Sequence, residues 1–70
     1  MKMQDVESSM IKAVGYDEEK AELHVKFNND SVYKYTDVNP PLFQKLLAAE
    51  SKGKFLNAKI KKVFNFEKVE

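Results

Sequence analysis

The clearest pattern in the chain lies between Ala21 and Phe27, where Ala21, Leu23, Val25 and Phe27 alternate with Glu22, His24 and Lys26 without an error. A period of two with one apolar face is the pattern of a half-buried strand. Before it, Met10-Ile11-Lys12-Ala13-Val14-Gly15-Tyr16 also reads as a strand, but Ile11 and Val14 are an odd number of residues apart, so plain alternation cannot turn both inward. A bulge near Lys12-Ala13 reconciles them, because one extra residue shifts the phase by one. Asp17-Glu18-Glu19-Lys20 is an acidic turn. Asn28-Asn29-Asp30 is turn chemistry tolerant of positive φ, and the β-branched and aromatic run Ser31-Val32-Tyr33-Lys34-Tyr35-Thr36 follows it. Three strands joined by short turns make an antiparallel meander. Residues 1–8 show no sustained periodicity and read as a loose arm.

Asp37-Val38-Asn39-Pro40-Pro41 ends the sheet, with Asn39 as an N-cap and Pro40 at the first helical position, where a missing N–H costs nothing. The helix runs to about Ala49, and Phe43, Leu46, Leu47, Ala48 and Ala49 form a stripe able to lie across one sheet face. Ser51 caps a second helix starting near Lys52, with Leu56, Ile60 and Val63 on one face and Lys54, Lys61 and Lys62 on the far side. Phe64, Phe66 and Val69 alternate with Asn65 and Lys68, as in a short extended tail or a frayed end. The expected fold class is α+β, a three-stranded antiparallel meander followed by two helices packed on one face.

Composition narrows the function more than the fold. Seventy residues allow a single domain, 1–70, with a core over about residues 6–64, and leave little room for a substrate cleft. A content of 43% hydrophobic and 33% charged residues is too apolar for disorder and too polar for a membrane chain, so no membrane partner is implied. There is no cysteine and a single histidine, which excludes disulfides and thiolate chemistry and gives no metal or other cofactor a ligand set. Met1-Lys2-Met3-Gln4-Asp5 is acidic within five residues and no apolar run follows it, so a cytoplasmic protein is expected. The net charge of +1 is a cancellation. Residues 1–50 hold six lysines against nine acids, and residues 51–70 hold six lysines against two.

The candidate chemistry sits at four places. Asp17, Glu18, Glu19 and Glu22 lack calcium-loop spacing and read as a solvated turn. His24 falls on the polar face of its strand beside Glu22 and Lys26, an exposed imidazole with no paired nucleophile, and Ser8-Ser9 reads as a backbone cap before a strand. No enzyme is expected from these sets. The lysine run is different, since Lys52, Lys54, Lys59, Lys61 and Lys62 put five positive charges and no acid into eleven residues, together with Phe55 and Asn57. Such a segment attracts a phosphate backbone, unless it is merely the solvated face of an amphipathic helix. The fourth place is Tyr33 and Tyr35. With a two-residue turn at Asn29-Asp30, both lie on the polar face with His24 and Lys26, as an aromatic platform for bases. With Asn28-Asn29-Asp30 and a bulge, Val25 faces Tyr33, Leu23 faces Tyr35, and both rings enter the core. The second register is favoured because it buries more aromatic area in a domain with little core.

The succession Ser8-Ser9-x-Ile11, Val14-Gly15-Tyr16-Asp17, Leu23-x-Val25-x-Phe27, Tyr33-x-Tyr35-x-x-Val38, Leu46 through Ala49, and Ser51-x-Gly53-x-Phe55-x-Asn57-x-x-Ile60 resembles the KTSC domain. That family occurs at the C-terminus of some lysyl-tRNA synthetases and as small stand-alone bacterial and phage proteins. The likeness covers residues 6 to about 64. It departs at Asp30, where the family usually has Gly in the hairpin turn, and at Lys61-Lys62, where an Arg is common. The resemblance implies an RNA or tRNA partner, through the attachment to a tRNA synthetase and the central Tyr-x-Tyr. The expectation is a non-catalytic RNA-binding or RNA-associated module, with Lys52, Lys54, Lys59, Lys61 and Lys62 on phosphates and Asn57 hydrogen-bonding nearby. The alternative is a module for a protein partner, using an exposed sheet face or edge at its first or third strand.

Overall fold

The computed structural model describes residues 3–6 and 8–69. Its sheet has five antiparallel strands in chain order: β1 (Met3–Asp5), β2 (Ile11–Asp17), β3 (Glu22–Phe27), β4 (Val32–Tyr35) and β5 (Phe66–Lys68). Between β4 and β5 come α1 (Pro40–Ala48) and α2 (Lys52–Phe55), the latter continuing into a π-helical segment, Leu56–Lys61. The α+β class is as expected; the strand number is corrected from three to five. Met3–Asp5 belongs to the segment expected to be a loose arm, and it pairs with β2 through Met3–Gly15 and Asp5–Ala13. The remainder of that arm at Met1, Lys2 and Glu7 lies outside the described residues. The extended tail is β5, paired with β4.

The central register follows the sequence closely. The ladder between β2 and β3 shifts between Ile11 and Ala13, the bulge that lets Ile11 and Val14 both reach zero exposure. Leu23 pairs with Tyr35 and Val25 with Tyr33, the core-facing register. At the turn between them Asp30 takes φ 68°, the left-handed conformation that a Gly would adopt without strain. β2 and β4 are each paired on both sides, so the two strands expected to offer a free edge do not; the edges are β1 and β5.

α1 starts at Pro40 after the extended Asn39, whose side chain makes no capping bond, and covers the inner sheet face with Leu46 fully buried and Leu42, Phe43 and Leu47 half-buried. Ala48 of the expected stripe is exposed. Tyr16 stacks on Phe43, ring centroids 4.9 Å apart, and its hydroxyl donates to the Val38 carbonyl, tying β2 to the start of the helical half. Leu56 and Ile60 are buried and hold the π-helical segment against the sheet. Val63, expected beside them, is 68% exposed. A π turn closes i to i+5, so it advances more residues per turn than an α-helix and Val63, past the C-cap Lys62, has lost the phase. The core is Ile11, Val14, Leu23, Val25, Tyr35, Val38, Leu46, Leu56 and Ile60, drawn from three strands and both halves of the helical region.

Candidate nucleic-acid interface

Ser51 caps α2, its Oγ accepting from the Lys54 N–H at 3.4 Å. Gly53 lets this helix close on Met10, since a Cβ there would stand 2.8 Å from the Met10 Sδ. Asn57 directs its amide to the same sulfur at 3.9 Å. With Leu56 and Ile60 fixed inward, Lys54, Lys59, Lys61 and Lys62 are left exposed. Lys52 is half-buried, and its Nζ donates to the Ala49 carbonyl at 3.4 Å, near the end of α1. Among the described residues, none of these five lysines has a carboxylate within 4.0 Å; every lysine that does lies on the sheet or its turns.

Beside the C-terminal end of the π-helical segment lies a groove of about 560 Å³. Met10, Phe27, Tyr33 and Phe66 supply its apolar wall, Asn28 and Asn29 one rim, and Lys61 a positive charge, with Tyr35 beneath. Phe66 packs its inner side on Tyr33 and Tyr35, both at 5.7 Å between centroids, yet is 52% exposed. Tyr33 meets the edge of Phe27 at 5.5 Å. Among the described residues no acid lines the groove.

Of the residues expected to form an interface, Lys61 alone both projects outward and lines this groove. Tyr33 contributes a half-buried ring. Tyr35 takes the core place of the favoured register and is no platform: it is 1% exposed, and burial, with a further contribution from Tyr33, raises its phenol above the ordinary pKa. Phe66, Phe27, Met10, Asn28 and Asn29 were not singled out by the sequence. The only signal for Phe66 was its alternation with Phe64 in the tail.

The other candidate positions do structural work. Asp17 closes its turn, Oδ1 accepting from the N–H groups of Glu19 at 3.1 Å and Lys20 at 3.3 Å, while Glu18 and Glu19 are exposed. Ser8 Oγ accepts from the N–H groups of Met10 and Ile11, a backbone cap ahead of β2. His24 is on the outer sheet face as expected but not exposed: 18% of its side chain is accessible, and its buried Nε2 makes no hydrogen bond, although the Glu22 Oε1 stands 3.5 Å away. Lys34 lies next to it across the ladder, between Glu22 at 3.7 Å and Glu67 at 3.4 Å. Among the described residues no group of three or more His, Cys, Asp or Glu could hold a metal ion, and no helix is long and apolar enough to cross a membrane.

The family model for the KTSC domain matches residues 7–64. A protein from Tsukamurella paurometabola is 47% identical over 62 residues, covering 89% of this chain and 92% of its own length. An uncharacterized protein from Stutzerimonas stutzeri is 39% identical over 57 residues, covering 81% of this chain and 80% of its own. A lysine–tRNA ligase from Nostoc punctiforme is 38% identical over 63 residues, which is 90% of this chain but 11% of that ligase. The crystal structure of a KTSC domain protein from Yersinia pestis superposes with a TM-score of 0.95 at 33% identity, over 99% of this chain and 97% of that one.

Proposed function

The chain belongs to the KTSC domain family, and we propose that it is a non-catalytic RNA-binding module that holds phosphates with the lysines of residues 52–62. One observation carries this reading: the exposed lysines of that segment have no carboxylate partner among the described residues, and one of them, Lys61, borders an aromatic groove. A lysine neutralised by a carboxylate has little charge left to offer, whereas an unpaired one releases counterions when it meets a phosphate. The relative within a lysine–tRNA ligase adds support from context. The rival, a protein partner added at a sheet edge, has short material to work with, since β1 and β5 are three residues each and carry Asp5, Glu67 and Lys68.

Titration of labelled tRNA and an unrelated RNA at two salt concentrations tests the proposal. For about four phosphate contacts the log–log slope on a single strand is near −2.8, so raising salt about fourfold weakens binding about 50-fold. Absence of salt-dependent binding to either RNA refutes the reading, and a concentration-independent dimer in light scattering would favour the rival.

A further inference from the structure

We infer that the groove beside Lys61 seats one unpaired base of single-stranded RNA, stacked on Phe66 and Tyr33, with the adjoining phosphate on Lys61. This rests on the RNA reading and specifies its ligand. A groove of about 560 Å³ falls within the range of about 300–1,000 Å³ typical of sites for small molecules. It can take a nucleotide but not a duplex.

The wall suits a ring with both faces to give. Phe66 is held from behind by Tyr33 and Tyr35 and keeps half its surface open, so stacking on it orders nothing that is not already ordered. Within a duplex each base is already covered on both faces, and only an unstacked base can use such a platform.

The rim supplies matching polar groups. Asn28 donates its Nδ2 to the Ser9 carbonyl at 2.8 Å, and Asn29 Oδ1 accepts from the Ser31 N–H at 3.0 Å. These local bonds fix both side chains and leave Asn28 Oδ1 and Asn29 Nδ2, one acceptor and one donor, without partners among the described residues. The Watson–Crick edge of every base carries at least one donor and one acceptor, so this pair holds a base edge without dictating its identity. Charge decides between an RNA and a peptide. Among the described residues the groove is lined by a lysine and no acid, exposed Lys62 follows Lys61 in the chain, and β5 carries Lys68 on the same face as Phe66.

The test compares an unstructured RNA oligonucleotide with an RNA duplex of the same strand length, by fluorescence polarisation at fixed salt. Wild type should bind the single strand about tenfold or more tightly over the duplex. Phe66→Ala should weaken single-strand binding about 5- to 150-fold, the range for loss of one stacked base, with the salt slope and duplex affinity unchanged. Phe66→Leu keeps apolar bulk without a π face and should lose nearly as much, which separates stacking from packing and guards against a misfolded alanine variant. If single strand and duplex bind equally, or Phe66→Leu binds as wild type, the inference falls while the RNA reading stands. If no RNA binds at any salt, the RNA reading falls with it. Phe66-dependent capture of an acidic aromatic peptide in place of RNA would also overturn it.

Discussion

Lys34 and Lys61 are the same residue put to two uses. Lys34 stands on the outer sheet face between Glu22 and Glu67, three-quarters covered and electrically answered. Lys61 stands at the end of the π-helical segment, exposed, unanswered among the described residues and next to open aromatic rings. In the acid-rich first fifty residues Lys12, Lys26 and Lys34 are answered by carboxylates and Lys20 and Lys45 stand apart, whereas the lysines of residues 52–62 form one run with no carboxylate partner among the described residues. A count of lysines cannot distinguish these cases. Their partners can.

The comparison breaks most severely at Leu56, which anchors the basic segment to the sheet with no exposure at all. Leu56→Ala should cost about 2–5 kcal/mol in chemical denaturation. A domain commands only about 0.05–0.15 kcal/mol per residue, so this is a large share of what 70 residues can supply. Next in size, replacing Lys59, Lys61 and Lys62 by Gln should leave stability nearly unchanged and reduce the salt slope of single-strand RNA binding by about 2. A variant that binds with the wild-type slope would show that these lysines are only a solvated face. Lys34→Gln should do the reverse, lowering stability by about 1 kcal/mol or less while RNA affinity stays as it was.

The smallest effect belongs to Asp30, whose carboxyl is held below its ordinary pKa first by the hydrogen bond from Lys12, at 3.1 Å, and then by the charges of Lys12 and Lys26. A depressed carboxyl contributes stability above its unfolded value of 3.8, and the contribution disappears as pH falls through the lower folded value. Asp30→Asn keeps a residue that tolerates the left-handed turn and removes the charge. Its melting temperature should sit slightly below wild type at neutral pH, and the gap should close in acid and in high salt. A gap that persists in acid would trace to the turn instead.

How far these features could be read in the sequence depends on whether a residue has a buried face to announce it. β3 declared itself because Leu23 and Val25 alternate with polar neighbours, and the bulge followed from the odd spacing of Ile11 and Val14. The register of Tyr33 and Tyr35 followed from the turn residues and from the need to fill a small core. β1 gave no such signal, because every residue in it is exposed and it owes its strand to hydrogen bonds with a neighbour, and β5 gave only the weak alternation of Phe64 and Phe66, since every residue in it is exposed too. Val63 was misplaced because hydrophobic spacing does not reveal a π turn. The groove was illegible for a different reason. Its wall comes from Met10, the β3–β4 hairpin, Lys61 and Phe66, segments that only the folded sheet and helices bring together.

The order of the strands gives the domain a schedule. From β1 to β4 each strand pairs with the one made just before it, local closures of the kind that form early and fast. β5 pairs with β4 across the whole helical excursion, a long loop that closes only after α1, α2 and the π-helical segment have been made. The groove is therefore complete only once this non-local pairing is made, because Phe66 lies on β5. Amide exchange should find β5 opening more readily than β2–β4. A module built in that order meets its ligand only as a finished fold.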